Sequence, residues 1–184
     1  MHKIDKHCGA VACGLIPDGG EQINFLRAQC QNEKWAYESL IPINRLVSAL
    51  CDNNQQQTTK EGRRPTGVGL LVIGYDKLGP HLFESLPNAE FHEYTAQAIG
   101  SRCQSAITFL ERNDAPYSES NNLDDLIVHA LKAIRTSFEN PLESGAVSVA
   151  FVGKNTNFTI YENEQLDKYL QLVEQHFSEE EMRD

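Results

Sequence analysis

The sequence predicts an α+β fold in which antiparallel β-sheets carry helices on their outer sides. The first observation behind this prediction is an apolar run at residues 67–76, whose only charge lies at its end. Such a run, closed by a glycine-containing turn at residues 76–79, is typical of a strand buried on both faces and hairpinned to the next strand. The second observation is the order of the predicted elements: strand, helices, strands, helices, strands, helix.

The individual strands are predicted from apolar and β-branched residues between turn signals. They cover residues 7–16, 68–75, 81–84, 91–99, 146–152 and 158–161. The first is expected to end at a turn formed by residues 17–20. The last two are expected to form a second hairpin around residues 154–157.

Helices are predicted where apolar residues recur three and four positions apart. They cover residues 20–31, 42–55, 101–112, 123–138 and 166–177. Pro42 suits a first helical turn, and Ser101 and Asn122 are the expected N-caps of two later helices. Asp124 and Asp125 then lie in a first turn, where negative charge interacts favourably with the helix dipole. The residues expected to face the interior are Ile23, Leu26, Cys30, Leu46, Val47, Leu50, Ala106, Ile107, Leu110, Leu123, Leu126, Ile127, Ala130, Leu131, Ile134, Leu166, Leu170, Val173 and Phe177.

Length and composition limit the classes of function. The 184 residues are 40% hydrophobic and 23% charged, which is sufficient for one domain with its own core. We expect this domain to cover residues 1–177 and an acidic tail to cover residues 178–184. A formal net charge of −10 and a pI near 5.0 argue against nucleic acid as the main partner.

The sequence indicates an intracellular protein. No apolar run has the length that a bilayer requires, and the N-terminus lacks the apolar segment of a signal peptide, so no membrane partner is expected. The five cysteines include no Cys-x-x-Cys pair, which is typical of a reducing compartment. The sequon at residues 157–159 is therefore interpreted as a hairpin turn rather than a glycan site.

Patterns for cofactor and metal binding are weak. Gly67 and Gly69 lie within a predicted strand, and position 72, where a dinucleotide fingerprint requires glycine, is a valine. The residues that invite a metal site are His2, His7, Cys8 and Cys13. Because neighbouring residues of a strand point to opposite faces, these side chains do not form a tetrahedral set.

Nucleophilic cysteine chemistry stays open. Cys30, Cys51 and Cys103 lie among helical residues, where a buried and inert thiol is the usual state, although a Cys–His pair that uses one of them is an alternative. The histidines whose spacing does not single out a general base are His81, His92 and His129. No catalytic residue, cofactor site or metal site is therefore assigned.

Three blocks of sequence, residues 62–84, 98–111 and 152–161, resemble the alpha subunits of the 20S proteasome in their order and spacing, and within that family the type-1 branch. The residues that match the family pattern are Gly14, Leu15, Asp18, Arg64, Pro65, Gly67, Val68, Gly74, Asp76, Gly79, Pro80, Ile99, Gly100, Leu110, Glu111 and Gly153. The resemblance implies a four-layer αββα sandwich, in which two sheets lie face to face with a helix pair on each outer side.

The resemblance also implies a function. Alpha subunits form a ring that stacks on the beta ring, gates substrate entry and receives regulatory complexes, and they lack the N-terminal threonine nucleophile of beta subunits. This chain begins Met1-His2 and has no Gly-Thr junction. The implied protein is a non-catalytic subunit without cofactor, located in cytoplasm and nucleus. Its implied partners are neighbouring alpha subunits, the beta ring and a regulatory particle.

Two alternatives remain beside this one. The first is an independent hydrolase of the N-terminal-nucleophile or cysteine type, and the second is a divergent, truncated paralogue that no longer assembles.

In the family fold, the helices at 101–112 and 123–138 would face the beta ring, and those at 20–31 and 42–55 would face the opposite side.

The chain departs from the family pattern in several respects. It is expected to lack the N-terminal gate segment, the first helix and the first two strands. Leu15 would then be the remnant of the activator pocket. Because missing strands leave unpaired backbone groups, the isolated chain is predicted not to be a well-behaved monomer. Thr66 replaces the usual aromatic residue after Arg64 and Pro65. After Leu15, the usual Asp-Ala-Arg-x-Leu is replaced by Asp-Gly-Gly-Glu-Gln at residues 18–22, which ends at Gln22.

Overall fold

The predicted α+β class is confirmed in the computed structural model, which describes residues 1–113, 122–138 and 140–181, the last four by their backbone alone. The strands are β1 (His2–Asp5), β2 (Cys8–Gly14), β3 (Val68–Asp76), β4 (Gly79–Ser85), β5 (Phe91–Glu93), β6 (Ser148–Gly153) and β7 (Thr156–Glu162). The α-helices are α1 (Ile16–Tyr37), α2 (Ile43–Thr59), α3 (Cys103–Arg112), α4 (Leu123–Arg135) and α5 (Asp167–Glu181).

These elements belong to two compact units, one with residues 1–100 and 151–159 and the other with residues 101–150 and 160–184. The first unit contains an antiparallel sheet in the order β1-β2-β3-β4-β5. Strands β6 and β7 pair with each other across a turn at residues 154–155. Among the described helices, none has the length and apolar composition needed to cross a membrane.

The core of the first unit lies between this sheet and the helices α1 and α2. The predicted inner faces of both helices are confirmed, since all six of their predicted apolar residues are buried. Strand β3 differs from its prediction, because Val68, Leu70 and Val72 are buried while Leu71 and Ile73 are only half-buried. One face of β3 is thus fully buried against the core, and the other is only partly covered. The predicted hairpin is confirmed, with Asp76 opposite Gly79.

The N-terminal boundaries were predicted wrongly. Residues 2–5 form β1, a strand absent from the predictions, and pair with β2. The predicted turn at residues 17–20 is instead the first turn of α1, with Pro17 in a position where its missing N–H has no helical partner to lose. Gly19 fits there because a Cβ at its position would lie 3.1 Å from the Cβ of Ala12.

Two further boundaries also differ from the predictions. Helix α2 begins at Ile43 with Pro42 as its N-cap and continues to Thr59, because the polar residues after Gln55 keep the helical conformation. The strand predicted at 91–99 ends after three residues, at Glu93. Strands β6 and β7 confirm the second hairpin, although residue 146 lies in the short 3-10 turn Ser144–Ala146.

In the second unit, α4 packs against both α3 and α5. Asn122 is confirmed as the N-cap of α4, since its side chain accepts a hydrogen bond from the Asp124 N–H at 3.2 Å. Ser101 is not the N-cap of α3, whose cap is Arg102 with a φ of 58°. Helix α5 passes the predicted end at Phe177 and continues to Glu181.

The apolar residues of α4 are divided between two faces. Ile127 and Leu131 are buried, as predicted. The residues predicted to face inward that are exposed instead are Leu123, Leu126, Ala130 and Ile134. A helix with apolar residues on both its buried and its exposed side has a surface suited to contact with another protein.

Candidate functional site

Asp18, Arg64 and Gly67, three of the family-pattern residues, meet where α1 begins and β3 starts. Both carboxylate oxygens of Asp18 accept hydrogen bonds from the Arg64 guanidinium, at 2.6 and 2.8 Å. The Gly67 N–H donates to the same carboxylate at 2.8 Å. A planar guanidinium and a carboxylate match in this two-bond geometry, so the contact orients Arg64 as well as pairing its charge.

Gly14 and Leu15 complete this motif cluster, which we define as Gly14, Leu15, Asp18, Arg64 and Gly67. The Leu15 N–H donates to the Gly67 carbonyl at 2.9 Å, so Gly67 is bound through both its backbone groups. Gly14 has a φ of 130°, and a Cβ at its position would lie 2.3 Å from the Gly67 carbonyl oxygen. The Leu15 side chain is 52% exposed beside this cluster.

The electrostatics of the cluster stabilise the charged form of Asp18. Hydrogen bonds from Arg64 and from the Gly67 N–H lower the pKa of Asp18 from 3.8 to about 2. A carboxyl whose folded-state pKa lies below its unfolded value contributes stability above the unfolded pKa, and this contribution is lost as the pH falls through the folded pKa. The relevant window is therefore between pH values near 4 and near 2.

Asp18→Asn is expected to remove this part of the acid dependence. The stability difference between the wild type and Asp18→Asn should be full above the unfolded pKa of 3.8 and should shrink towards pH 2. Urea midpoints measured across this range would test it. Asp52→Asn, at an exposed carboxylate of α2, is the control that should retain the wild-type dependence. A difference for Asp18→Asn that stays constant down to pH 2 would contradict the prediction.

Thr66 and Gln22, which were expected to depart from the family pattern, contact each other beside the cluster. The Gln22 side-chain amide donates to the Thr66 hydroxyl at 3.0 Å and to the Asn54 side-chain oxygen at 3.1 Å. Gln22 and Asn54 are buried, and Gln22 Oε1 and Asn54 Nδ2 have no partner among the described residues. One hydrogen bond therefore joins Gln22 to Thr66, a contact that the sequence pattern alone did not reveal.

Asp76 organises the opposite end of β3. Its carboxylate accepts hydrogen bonds from the N–H of Ile43, the first residue of α2, at 3.1 Å and from the Leu78 N–H at 2.8 Å. His81 lies between Asp76 Oδ1, 3.1 Å away, and Glu93 Oε1, 2.5 Å away. Burial alone would raise the pKa of Asp76, but its N–H and His81 partners hold it below the ordinary value.

The same cluster raises the pKa of His81. Burial acts against the imidazolium, but the contacts with Glu93 and Asp76 outweigh it. Gly74 lies next to this cluster, and a Cβ there would be 2.3 Å from Ile43 Cδ1. These contacts give the Gly-x-Asp motif a physical role, since the glycine admits α2 and the aspartate caps it.

The remaining family-pattern residues are dispersed. Gly100, after Ile99, has a φ of 112°, and its Cβ position is 3.3 Å from Cys13 Sγ. Val68 begins β3, Gly79 and Pro80 begin β4, and Gly153 ends β6. Pro65 accepts a hydrogen bond from Arg64 through its carbonyl. Leu110 and Glu111 lie on α3 in the second unit.

The candidate chemical groups have the character of structural residues. Cys8, Cys30 and Cys51 are buried, and Cys103 is partly buried. A hydrogen bond with Cys30, together with burial, raises the pKa of the Cys8 thiol, and burial raises that of Cys51. Both shifts oppose formation of the thiolate that a cysteine nucleophile requires. Within the described ranges, no group of three or more His, Cys, Asp or Glu side chains has a metal-binding arrangement.

Comparison with known proteins gives a consistent set of relatives. The profile of the family described as Proteasome subunit matches residues 1–152. The chain is 40% identical over 174 residues to Proteasome subunit alpha type-1 of Dictyostelium discoideum, covering 93% of this chain and 70% of that relative. It is 41% identical over 170 residues to Proteasome subunit alpha type-6 of Saccharomyces cerevisiae, covering 91% and 73%. Proteasome subunit alpha type-1 of Caenorhabditis elegans is 37% identical over 178 residues, covering 96% and 68%.

Proposed function

The chain belongs to the proteasome subunit family, and from this premise we propose that it is a non-catalytic alpha-type subunit of the ring of the 20S core particle. The observation that carries the proposal is the identity of 37–41% to three relatives named alpha subunits, over 91–96% of the chain. A match of this extent includes residues of both compact units. Its contribution to ubiquitin-dependent proteolysis is then architectural, through contacts with neighbouring subunits.

No observation favours the independent hydrolase. The buried thiols of Cys8, Cys30 and Cys51 have a structural character, and none of the relatives reported above is named as a catalytic subunit. A divergent paralogue that no longer assembles would be recovered from cells without other ring subunits, whereas a ring subunit would be recovered with them.

The finer parts of the proposal concern the assembled fold. We propose a four-layer αββα sandwich in which α3 and α4 face the beta ring and α1 and α2 face the opposite side. Exposed apolar side chains on α4 support the first assignment, because contact with another subunit would remove them from water: Leu126 is 36% exposed and Ile134 is 38% exposed. Leu15, with its half-exposed side chain, is the proposed remnant of the activator pocket for a regulatory particle. Cytoplasm and nucleus are the proposed locations.

Leu126→Glu combined with Ile134→Glu is expected to reduce incorporation into the particle by about tenfold or more, because desolvating two carboxylates at an apolar contact is unfavourable. The measurement is native mass spectrometry of tagged chain recovered from cells, with the ratio of ring subunits to tagged chain as the readout. Gln31→Glu combined with Gln171→Glu has the same change in charge at exposed polar positions and should incorporate normally.

Unchanged far-UV circular dichroism and thermal melting of the purified variants separate a lost contact from a lost fold. Equal incorporation of both double variants would reject the proposed face of α4. Recovery of the wild-type chain without other alpha and beta subunits would reject the ring subunit itself and favour the divergent paralogue.

A further inference from the structure

Three β-turns of the first unit meet at one cleft of about 1120 Å³. Lys6 lies in the turn between β1 and β2, Lys77 and Leu78 lie in the turn between β3 and β4, and Lys154 lies in the turn between β6 and β7. The segment between α1 and α2 also lines the cleft, through Leu40. Turns from distant parts of the chain thus contribute side chains to a single concave surface.

Backbone hydrogen bonds hold the three turns together. The Phe158 N–H donates to the Lys6 carbonyl at 2.7 Å, and the Tyr75 N–H donates to the His7 carbonyl at 2.9 Å. Asp76 accepts from the Leu78 N–H at 2.8 Å, which fixes the turn on which Lys77 lies. These hydrogen bonds order the backbone of the turns in the free chain. Binding of a partner would therefore reduce mainly the conformational entropy of side chains.

The charges of the cleft are unbalanced in favour of lysine. Its two acidic residues already have partners, since Glu33 pairs with Arg45 at 2.7 Å and Asp76 contacts His81. The three lysines, in contrast, are exposed and form no salt bridge within the described part of the chain. The net charge of the chain is −10, so most of its surface repels anions. This cationic surface attracts them instead.

Exposed apolar side chains border the same lysines. Leu78 is 87% exposed and Leu40 is 51% exposed, and both line the cleft. An inorganic anion or a phosphate chain would pair with the lysines and leave both leucines in water. A peptide with acidic residues on either side of an apolar residue would satisfy both features at once.

We propose that this cleft is a docking surface for an acidic segment of another protein, in which carboxylates pair with Lys6, Lys77 and Lys154 and an apolar side chain packs between Leu40 and Leu78. The surface does not use the exposed apolar residues of α4, so this interaction is separate from the ring contact proposed above. Its chemistry is that of weak, charge-steered peptide recognition, with a small apolar anchor and exposed ion pairs.

Fluorescence anisotropy of the purified chain with a labelled peptide that repeats Asp-Glu-Leu tests the proposal. Lys6→Gln combined with Lys77→Gln and Lys154→Gln is expected to weaken binding by about tenfold or more, and added salt should weaken wild-type binding as well. Lys3→Gln combined with Lys34→Gln and Lys60→Gln makes the same change in charge at exposed positions that do not line the cleft, and it should bind as the wild type does. Leu78→Ser should also weaken binding of the peptide, because it removes one of the two leucine side chains of the cleft.

Competing ligands distinguish the other occupants. Equal binding of a peptide that repeats Asp-Glu-Ser, or of inorganic polyphosphate, would replace the peptide site by a general anion site and overturn the proposal. Equal loss in the two triple lysine variants would overturn it too, because the effect would then be one of net charge. The triple variant of the cleft should still enter the particle at the wild-type level in the assembly experiment, so a failure of ring assembly is scored independently of a failure of peptide binding.

Discussion

Gly14→Ala is expected to lower the free energy of unfolding by about 2–6 kcal/mol, because it combines backbone strain with a steric clash. Gly14 has a φ of 130°, a region that residues with a Cβ rarely adopt, and the added Cβ would lie 2.3 Å from the Gly67 carbonyl oxygen. That oxygen is backbone and already accepts the Leu15 N–H, so it has little freedom to move aside. Urea unfolding of the purified chain measures the effect.

Gly20→Ala is the matched control for this substitution. Gly20 lies in α1, and the space around its Cβ position is open. Alanine there should be neutral or stabilising by about 0.5–1 kcal/mol, because glycine is an unfavourable helix residue. The two changes add the same methyl group and are expected to have opposite signs. A Gly14→Ala protein as stable as the wild type would mean that the first turn of α1 moves freely relative to β3.

Asp76→Ala is expected to destabilise the chain by about 2–4 kcal/mol, since it removes the charged acceptor that satisfies the first N–H of α2 and the Leu78 N–H. The N–H groups of Ile43 and Leu78 lose their acceptor, and His81 loses one of its two carboxylate partners. Thermal and urea unfolding report the total effect. Hydrogen exchange at the first turn of α2 reports the cap specifically, and faster exchange is expected there.

Asp76→Asn separates geometry from charge. An asparagine has one acceptor oxygen in place of two, so it retains only one of the two backbone contacts. The stability of Asp76→Asn should therefore lie between those of Asp76→Ala and the wild type. Asp52→Ala, at an exposed carboxylate of the same α2 helix, should change stability by less than about 0.5 kcal/mol. If Asp76→Ala resembled Asp52→Ala, the cap would contribute nothing measurable and the motif aspartate would need another explanation.

Long periodic elements were predictable from the sequence because their own residues determine them. The inner faces of α1 and α2 follow from apolar spacing, and the β3–β4 hairpin follows from an apolar run and a glycine turn. The first turn of α1 was not predictable in this way. Glycine and proline at residues 17–20 favour a turn locally, but Asp18 is held by Arg64 and Gly67, which are 46 and 49 residues away.

The candidate surfaces show the same division between local and distant information. Family-pattern residues could be named from the sequence, but their physical reasons required neighbours in space, such as Ile43 beside Gly74. The hydrogen bond between Gln22 and Thr66 joins positions 44 residues apart, so neither residue alone indicated the contact. The lysine cleft was missed for a related reason, because each of its lysines lies alone in a separate turn.

The division of the first unit into residues 1–100 and 151–159 has a consequence for synthesis of the chain. Phe158 lies where a Cβ on Gly9 would be 2.0 Å from its ring, so a late residue covers one of the earliest strands. During translation the sheet can begin to pair early, but this cover is missing until residue 159 has left the ribosome. Contacts between residues this distant in sequence form slowly, because the long chain segment between them must first be closed into a loop.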